Sequence, residues 1–160
     1  MFLWKKLFKH SFLLFSLMEE LVLSGCLVIN PAGEIYLLFR KKHKHYETPG
    51  GKVDPGEELK ETALRELFEE VSGIRKEDIK SIEYFTSVRF IIPDGRRAIA
   101  HKFIIRLNKN LNLKPNEEIF DEKKSRFIPM DEFLKLGDQL SPDLKILVNN
   151  EEFKRKLLGY

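Results

Sequence analysis

A chain of 160 residues is long enough for one domain with its own hydrophobic core, and it needs no disulfide or structural metal to hold together. Hydrophobic residues at 42% and charged residues at 33% exclude a disordered or collagen-like chain, and a net charge of +3 is too small to imply nucleic-acid binding. The one cysteine, Cys26, excludes a disulfide framework and a cysteine-rich zinc site, and it makes a reducing, cytoplasmic setting the expectation.

Residues 1–20 read as an N-terminal extension, with Leu3, Leu7, Phe8, Leu14 and Phe15 near helical spacing. Lys5, Lys6 and Lys9, the apolar stretch from Phe12 to Met18, and Leu23-Ser24-Gly25-Cys26 together have the parts of an export signal. Two features count against that reading. Glu19 and Glu20 interrupt the apolar run, which is also far short of the roughly 20 residues that span a bilayer. Leu27-Val28-Ile29-Asn30 continues a strand that begins before Cys26, so cleavage there would cut a core element. No membrane association is expected.

Residues 21–160 read as a single domain without repeats or a low-complexity linker. Strands are expected over Leu21–Asn30 and Glu34–Arg40, joined by a turn at Pro31-Ala32-Gly33. Lys41 to His45 is a basic loop, and Pro49-Gly50-Gly51 and Asp54-Pro55-Gly56 bracket a glycine-rich turn. A helix follows from about Glu57 to Val71. Two long β runs, Ser81–Ile92 and Arg97–Leu107, flank the hairpin signal Pro93-Asp94-Gly95. Asn108–Asn116 is a polar loop, Phe120–Ile128 a strand, Pro129-Met130-Asp131 the start of a short helix, and Ser141-Pro142-Asp143 the cap and first turn of the C-terminal helix. Strands before, between and after helices predict a mixed α/β domain.

The chemistry concentrates between Gly51 and Ile74. At about 100° per residue, Leu59, Ala63, Leu64, Leu67, Phe68 and Val71 share a broad apolar side. Thr62, Glu66, Glu69 and Glu70 form a neighbouring stripe, in which Glu66 is spaced i,i+3 from Glu69 and i,i+4 from Glu70. Acidic runs on helices are usually solvated faces. Here, like charges ~4 Å apart repel by about 1 kcal/mol in water and about 4 kcal/mol at an intermediate dielectric, and carboxylates late in a helix oppose its macrodipole. Arg65 relieves part of this and a divalent cation would relieve it fully. Hard oxygen donors fit magnesium rather than zinc. Gly50 and Gly51 have no side chain to block a close approach, so a backbone carbonyl there can add an oxygen, and Lys52 can face phosphate.

These residues resemble the Nudix box, G-x5-E-x7-R-E-U-x-E-E-x-G-U with U apolar. Gly51 is followed after five residues by Glu57, after seven more by Arg65-Glu66-Leu67, and then by Phe68 and Glu69-Glu70. The tail departs, with Ser72 at the family's glycine position and Gly73-Ile74 one place late, which touches the helix exit and leaves the carboxylates intact. Upstream, Tyr46-Glu47-Thr48-Pro49-Gly50-Gly51 and Leu37-Leu38-Phe39-Arg40 are similar to the family's lead-in, and Arg126–Phe133 is similar to its closing strand and short helix.

The resemblance implies an α/β/α sandwich with a mixed β-sheet and a hydrolase that cuts a pyrophosphate bond in a nucleoside diphosphate derivative with Mg²⁺ or Mn²⁺. It also implies site roles. Glu66, Glu69 and Glu70 are metal-binding and base-related carboxylates, with Glu66, Glu69 and Arg65 as the catalytic set and Arg65 orienting a glutamate. The Gly50 carbonyl is a further metal ligand, and Glu57 is a secondary ligand or a structural partner. Arg40 and Lys52 are the substrate-binding candidates. The general base comes from the box or from a later glutamate, with Glu117, Glu118 and Glu122 as candidates that read more simply as surface residues.

The basic cluster Arg40, Lys42, His43, Lys44 and His45 reads as a solvated loop or as a collector of substrate phosphate charge. His101 reads as structural, and Tyr84, Phe85 and Phe90 read better as core than as base-stacking rings. The expected substrate is a small nucleotide such as ADP-ribose, a dinucleoside polyphosphate or a (d)NTP, and no downstream residue selects among them. An RNA 5′ end is the second reading, weakly favoured by the basic balance; DNA is not expected. A non-catalytic nucleotide sensor ranks last, because such modules lose box carboxylates that this chain keeps. Exposed strand edges and the N-terminal extension make a homodimer an expectation.

Overall fold

The computed structural model describes residues 19–159, so the expected extension lies outside the described residues except for Glu19 and Glu20. β1 (Leu21–Ile29) and β2 (Glu34–Arg40) form a hairpin. Its turn is closed by Asn30, whose side-chain oxygen accepts from the Glu34 backbone N–H at 2.9 Å, and Gly33 supplies the positive φ of 77°. β3 (His45–Glu47) pairs back on β2, with Lys44 at φ 52° in the connection. β6 (Ile79–Ile91) and β7 (Arg97–Leu107) form the long hairpin announced by Pro93-Asp94-Gly95. The sheet runs β3-β2-β1-β7-β6. The β1–β7 pairing is parallel and the others are antiparallel, as expected for a mixed sheet.

From Ser24 onward both faces of β1 are buried, which is why Cys26-Leu27-Val28-Ile29 runs apolar instead of alternating. Cys26 and Val28 point to the face covered by α1 (Leu59–Glu70), together with Ala63, Leu67 and Phe103. Leu27 and Ile29 point to the face covered by α3 (Pro142–Val148) and α4 (Glu151–Leu158), together with Leu144, Leu147 and Phe153. The result is the expected sandwich of helices on both sides of a mixed sheet. α2 (Met130–Phe133) is the short helix predicted after Pro129.

Several boundaries differ from the sequence reading. The glycine turn is partly a strand: β4 (Gly50–Lys52) pairs antiparallel with β1. This is possible because Gly25 faces Gly50, where a Cβ on Gly25 would strike the Pro49 carbonyl and the Gly50 backbone. The polar loop over Asn108–Asn116 contains β8 (Lys114–Pro115), which pairs with β5 (Val71–Ser72) at the exit of α1. The strand expected over Phe120–Ile128 is only β9 (Arg126–Pro129). Asp121 turns the chain before it, its side chain accepting from the Lys123 and Lys124 N–H groups and its carbonyl from the Ser125 N–H and hydroxyl. The C-terminal helix is two helices, the second capped by Asn150 accepting from the Phe153 N–H at 2.9 Å.

Candidate active site

α1 begins at Leu59, packs Ala63 and Leu67 fully out of solvent, and carries Thr62 and Glu70 inside with them. The acidic stripe is therefore graded: the Glu69 side chain is 57% exposed and that of Glu66 16%, while Glu70 as a whole is only 6% exposed. A solvated charged face would not show this grading.

The buried end of the stripe meets β4. Cys26 donates its N–H to the Pro49 carbonyl and Val53 donates to Val22, so Gly50 takes the non-hydrogen-bonded position opposite Gly25. Its polar groups thus point away from β1, and its N–H donates to Glu70 Oε1 at 2.8 Å. Burial pushes the Glu70 carboxyl up from an ordinary 4.5 to about 8. The Gly50 N–H works against that shift, Glu47 and Glu66 add to it, and Arg40 opposes it.

Arg65 sits among four carboxylates. It is 2.7 Å from Glu57, 3.0 Å from Glu66, 3.3 Å from Asp54 and 3.4 Å from Glu69, and it donates to the Lys52 carbonyl at 3.1 Å. Of the stripe it reaches Glu66 and Glu69 and leaves Glu70 to the Gly50 N–H, the partial relief expected of it. Glu57 accepts from Arg65 and Thr62, and the hydrogen bond from Arg65, helped by the one from Thr62, holds its carboxyl down to about 2. Glu66 is different. Burial raises its carboxyl despite Arg65, and it packs so closely under Gly51 that any Cβ there would overlap the carboxylate. Gly51→Ala should therefore displace Glu66 from Arg65. A turnover loss of about tenfold or more, with unchanged circular dichroism, is expected; full activity would show that Glu66 needs no fixed position.

Among the described residues no three His, Cys, Asp or Glu side chains are gathered into a metal cage. The physical reason is that Arg65 holds Glu57, Glu66 and Glu69 while Gly50 holds Glu70. The donor set nevertheless fits a hard divalent cation. Glu70 and Glu66 are carboxyls whose charged form is disfavoured by burial, and a cation beside them would favour it.

A cleft of about 250 Å³ opens beside this site. Gly50, Gly51, Arg40, His43 and His45 line it; the Lys42 and Lys44 side chains do not, and Lys52 is exposed outside its wall. Arg40 and His45 both hold Glu47, at 2.6 Å and 2.9 Å. Burial pushes the Glu47 carboxyl up, but the hydrogen bonds from His45 and Arg40 outweigh it and hold it below the ordinary value. Of the aromatic candidates, Phe90 lines the cleft, Phe85 is core against Phe153, and Tyr84 is half exposed, bonded to His101 across neighbouring strands at 2.9 Å. Glu117 and Glu122 face each other outside the cleft wall.

Sequence reasoning missed the polar floor. Lys102, 5% exposed, pairs with Asp143 at 2.7 Å and donates to the Thr48 hydroxyl at 3.0 Å. Its signal was a lysine at an inward position in an otherwise apolar row, Ala98, Ala100, Lys102, Ile104.

The family model of the NUDIX domain matches residues 22–148. A curated RNA pyrophosphohydrolase of Pectobacterium carotovorum subsp. carotovorum (strain PC1) is 36% identical over 56 residues, 35% of this chain and 31% of that protein. The chain matches about a third of the length of its curated relatives. Among solved structures, a C. elegans Ap4A hydrolase in a binary complex superposes with a TM-score of 0.66 at 21% identity, covering 88% of this chain and 99% of that one. The E. coli dihydroneopterin triphosphate pyrophosphohydrolase gives a TM-score of 0.67 at 16% identity, covering 87% and 96%. At these identities the likeness establishes the fold.

Proposed function

We propose that this chain, which belongs to the Nudix domain family, hydrolyses a pyrophosphate bond in a nucleoside diphosphate derivative with Mg²⁺ or Mn²⁺ as its cofactor. The observation that carries this reading is Glu70: a carboxyl nearly out of solvent, raised by burial, tied to the Gly50 backbone beside a cleft that holds Arg40. Glu66, Glu69 and Glu70 would hold the metal, with the Gly50 carbonyl free of β1 to join them. When bound, the metal supplies charge neutralisation on the phosphates and a more acidic water.

The chain's own residues do the rest. Arg65 fixes Glu66 and Glu69 through one guanidinium, so their spacing is set before a substrate arrives. Glu57 anchors Arg65 at the helix start. Arg40 brings positive charge to the cleft wall while Glu47 fixes its direction. Lys52 contributes through its backbone carbonyl to Arg65.

A chromatographic screen for the nucleotide products of ADP-ribose, a dinucleoside polyphosphate and (d)NTPs tests the reading. Turnover of at least one member with Mg²⁺ or Mn²⁺, and none in chelator, is expected. Silence across the panel with both metals would refute it, unless an RNA carrying a 5′ triphosphate is cut instead. That second reading is favoured by the RNA pyrophosphohydrolase match, and its mark would be an affinity that falls steeply with salt.

A further inference from the structure

We infer that Lys102 determines substrate specificity by donating a hydrogen bond to a ring carbonyl of the substrate's base, so that the cleft takes an oxo-purine in preference to adenine. The inference rests on the reading that this cleft receives a nucleotide, and it names which base.

Lys102 belongs to the row of β7 that packs toward α3, where its neighbours Ala100 and Ile104 are apolar. An ammonium carries three donors. Asp143 Oδ2 takes one at 2.7 Å and Thr48 Oγ1 another at 3.0 Å. Among the described residues the third has no partner, and Lys102 lines the cleft. The acceptors beside it are already used: Asp143 Oδ1 accepts the Ser141 hydroxyl at 2.6 Å, and the Leu144 backbone N–H also serves this carboxylate. The floor thus offers an approaching ring a donor that no described residue takes.

The walls around that donor suit a flat ring, since Leu23, Phe90, Ile92, Pro93 and Ala100 line the same cleft with apolar surface. Arg40, Gly50 and Gly51 in the same lining supply the phosphate-facing part. A buried ion pair is a poor stability device, because desolvating two charges costs about as much as their attraction returns and an apolar pair of the same size would pack as well. A directional contact to a ligand gives the pair a use that packing does not.

Discrimination follows from hydrogen-bond polarity. The O6 of a 6-oxopurine accepts from Lys102, satisfying its third donor. Adenine presents an amino group at that position, which sets donor against donor and leaves both desolvated and unpaired.

The test is equilibrium binding of IMP and AMP to the full chain. Neither contains a pyrophosphate bond, so the measurement stands whether or not the chain hydrolyses any nucleotide, and a failed hydrolysis screen leaves it intact. IMP is expected to bind about tenfold or more tightly than AMP. Lys102→Met alone would strand Asp143 in the interior, so the paired variant Lys102→Met with Asp143→Leu is the comparison, and in it the preference should fall to within about threefold. The wild-type comparison decides by itself should the variant fail to fold. Equal binding, tighter AMP binding, binding of neither, or a preference that survives in a folded double variant would each overturn the assignment.

Discussion

Replacing Glu70 by Gln is expected to lower turnover by roughly a hundredfold or more while leaving the fold in place. Gln keeps the shape and an oxygen that can accept the Gly50 N–H, so the β4–α1 contact survives. What it loses is the charge a divalent cation would bind. Glu70 also makes the metal-free protein sensitive to pH. Its carboxyl is raised from an ordinary 4.5 to about 8, so between those values the folded chain keeps a proton that the unfolded chain has released. The stability this group contributes is therefore present below about pH 4.5 and is lost as pH rises through about 8. Melting in chelator should show that decline for the wild type and a flatter profile for Glu70→Gln. Magnesium, by binding the charged form, should restore stability at the alkaline end in the wild type alone. A Glu70→Gln protein with wild-type turnover would remove this carboxyl from the metal site.

Arg65→Lys is expected to cost roughly tenfold to a hundredfold in turnover and to move the magnesium titration to higher concentration. The substitution keeps a positive charge. It loses the planar fork that reaches Glu57, Glu66, Glu69, Asp54 and the Lys52 carbonyl at once. A lysine ammonium can serve at most three of these. Arg65→Met should be worse in both measurements, since four carboxylates would then share no cation. A Lys variant with wild-type turnover and metal dependence would show that charge alone, without geometry, is what the site takes from Arg65.

The two substitutions probe different links. Glu70 tests whether the buried end of the stripe binds the cation, and Arg65 tests whether the exposed end must be held in place. Loss with Glu70→Gln but not with Arg65→Lys would leave the metal reading intact and reduce the part of Arg65 to its positive charge.

The sequence by itself determined the family, the acidic helix and the order of the long elements, because those are written in local spacing. Glu66, Glu69 and Glu70 fall on one stripe whatever the chain folds against, and the hairpin at Pro93-Asp94-Gly95 needs only its own turn chemistry. Only the tertiary structure decided which of the three carboxylates is buried, because that depends on β4 crossing the helix next to Gly25, a contact between residues far apart in sequence. The same holds for the Lys102–Asp143 pair beneath the cleft, whose partners stand on a strand and a helix that local pattern cannot bring together. It holds also for Asp121, whose turn cuts short a run that reads as strand. Spacing along a chain fixes which face a side chain takes, and burial and pairing are fixed by whatever distant segment packs on that face.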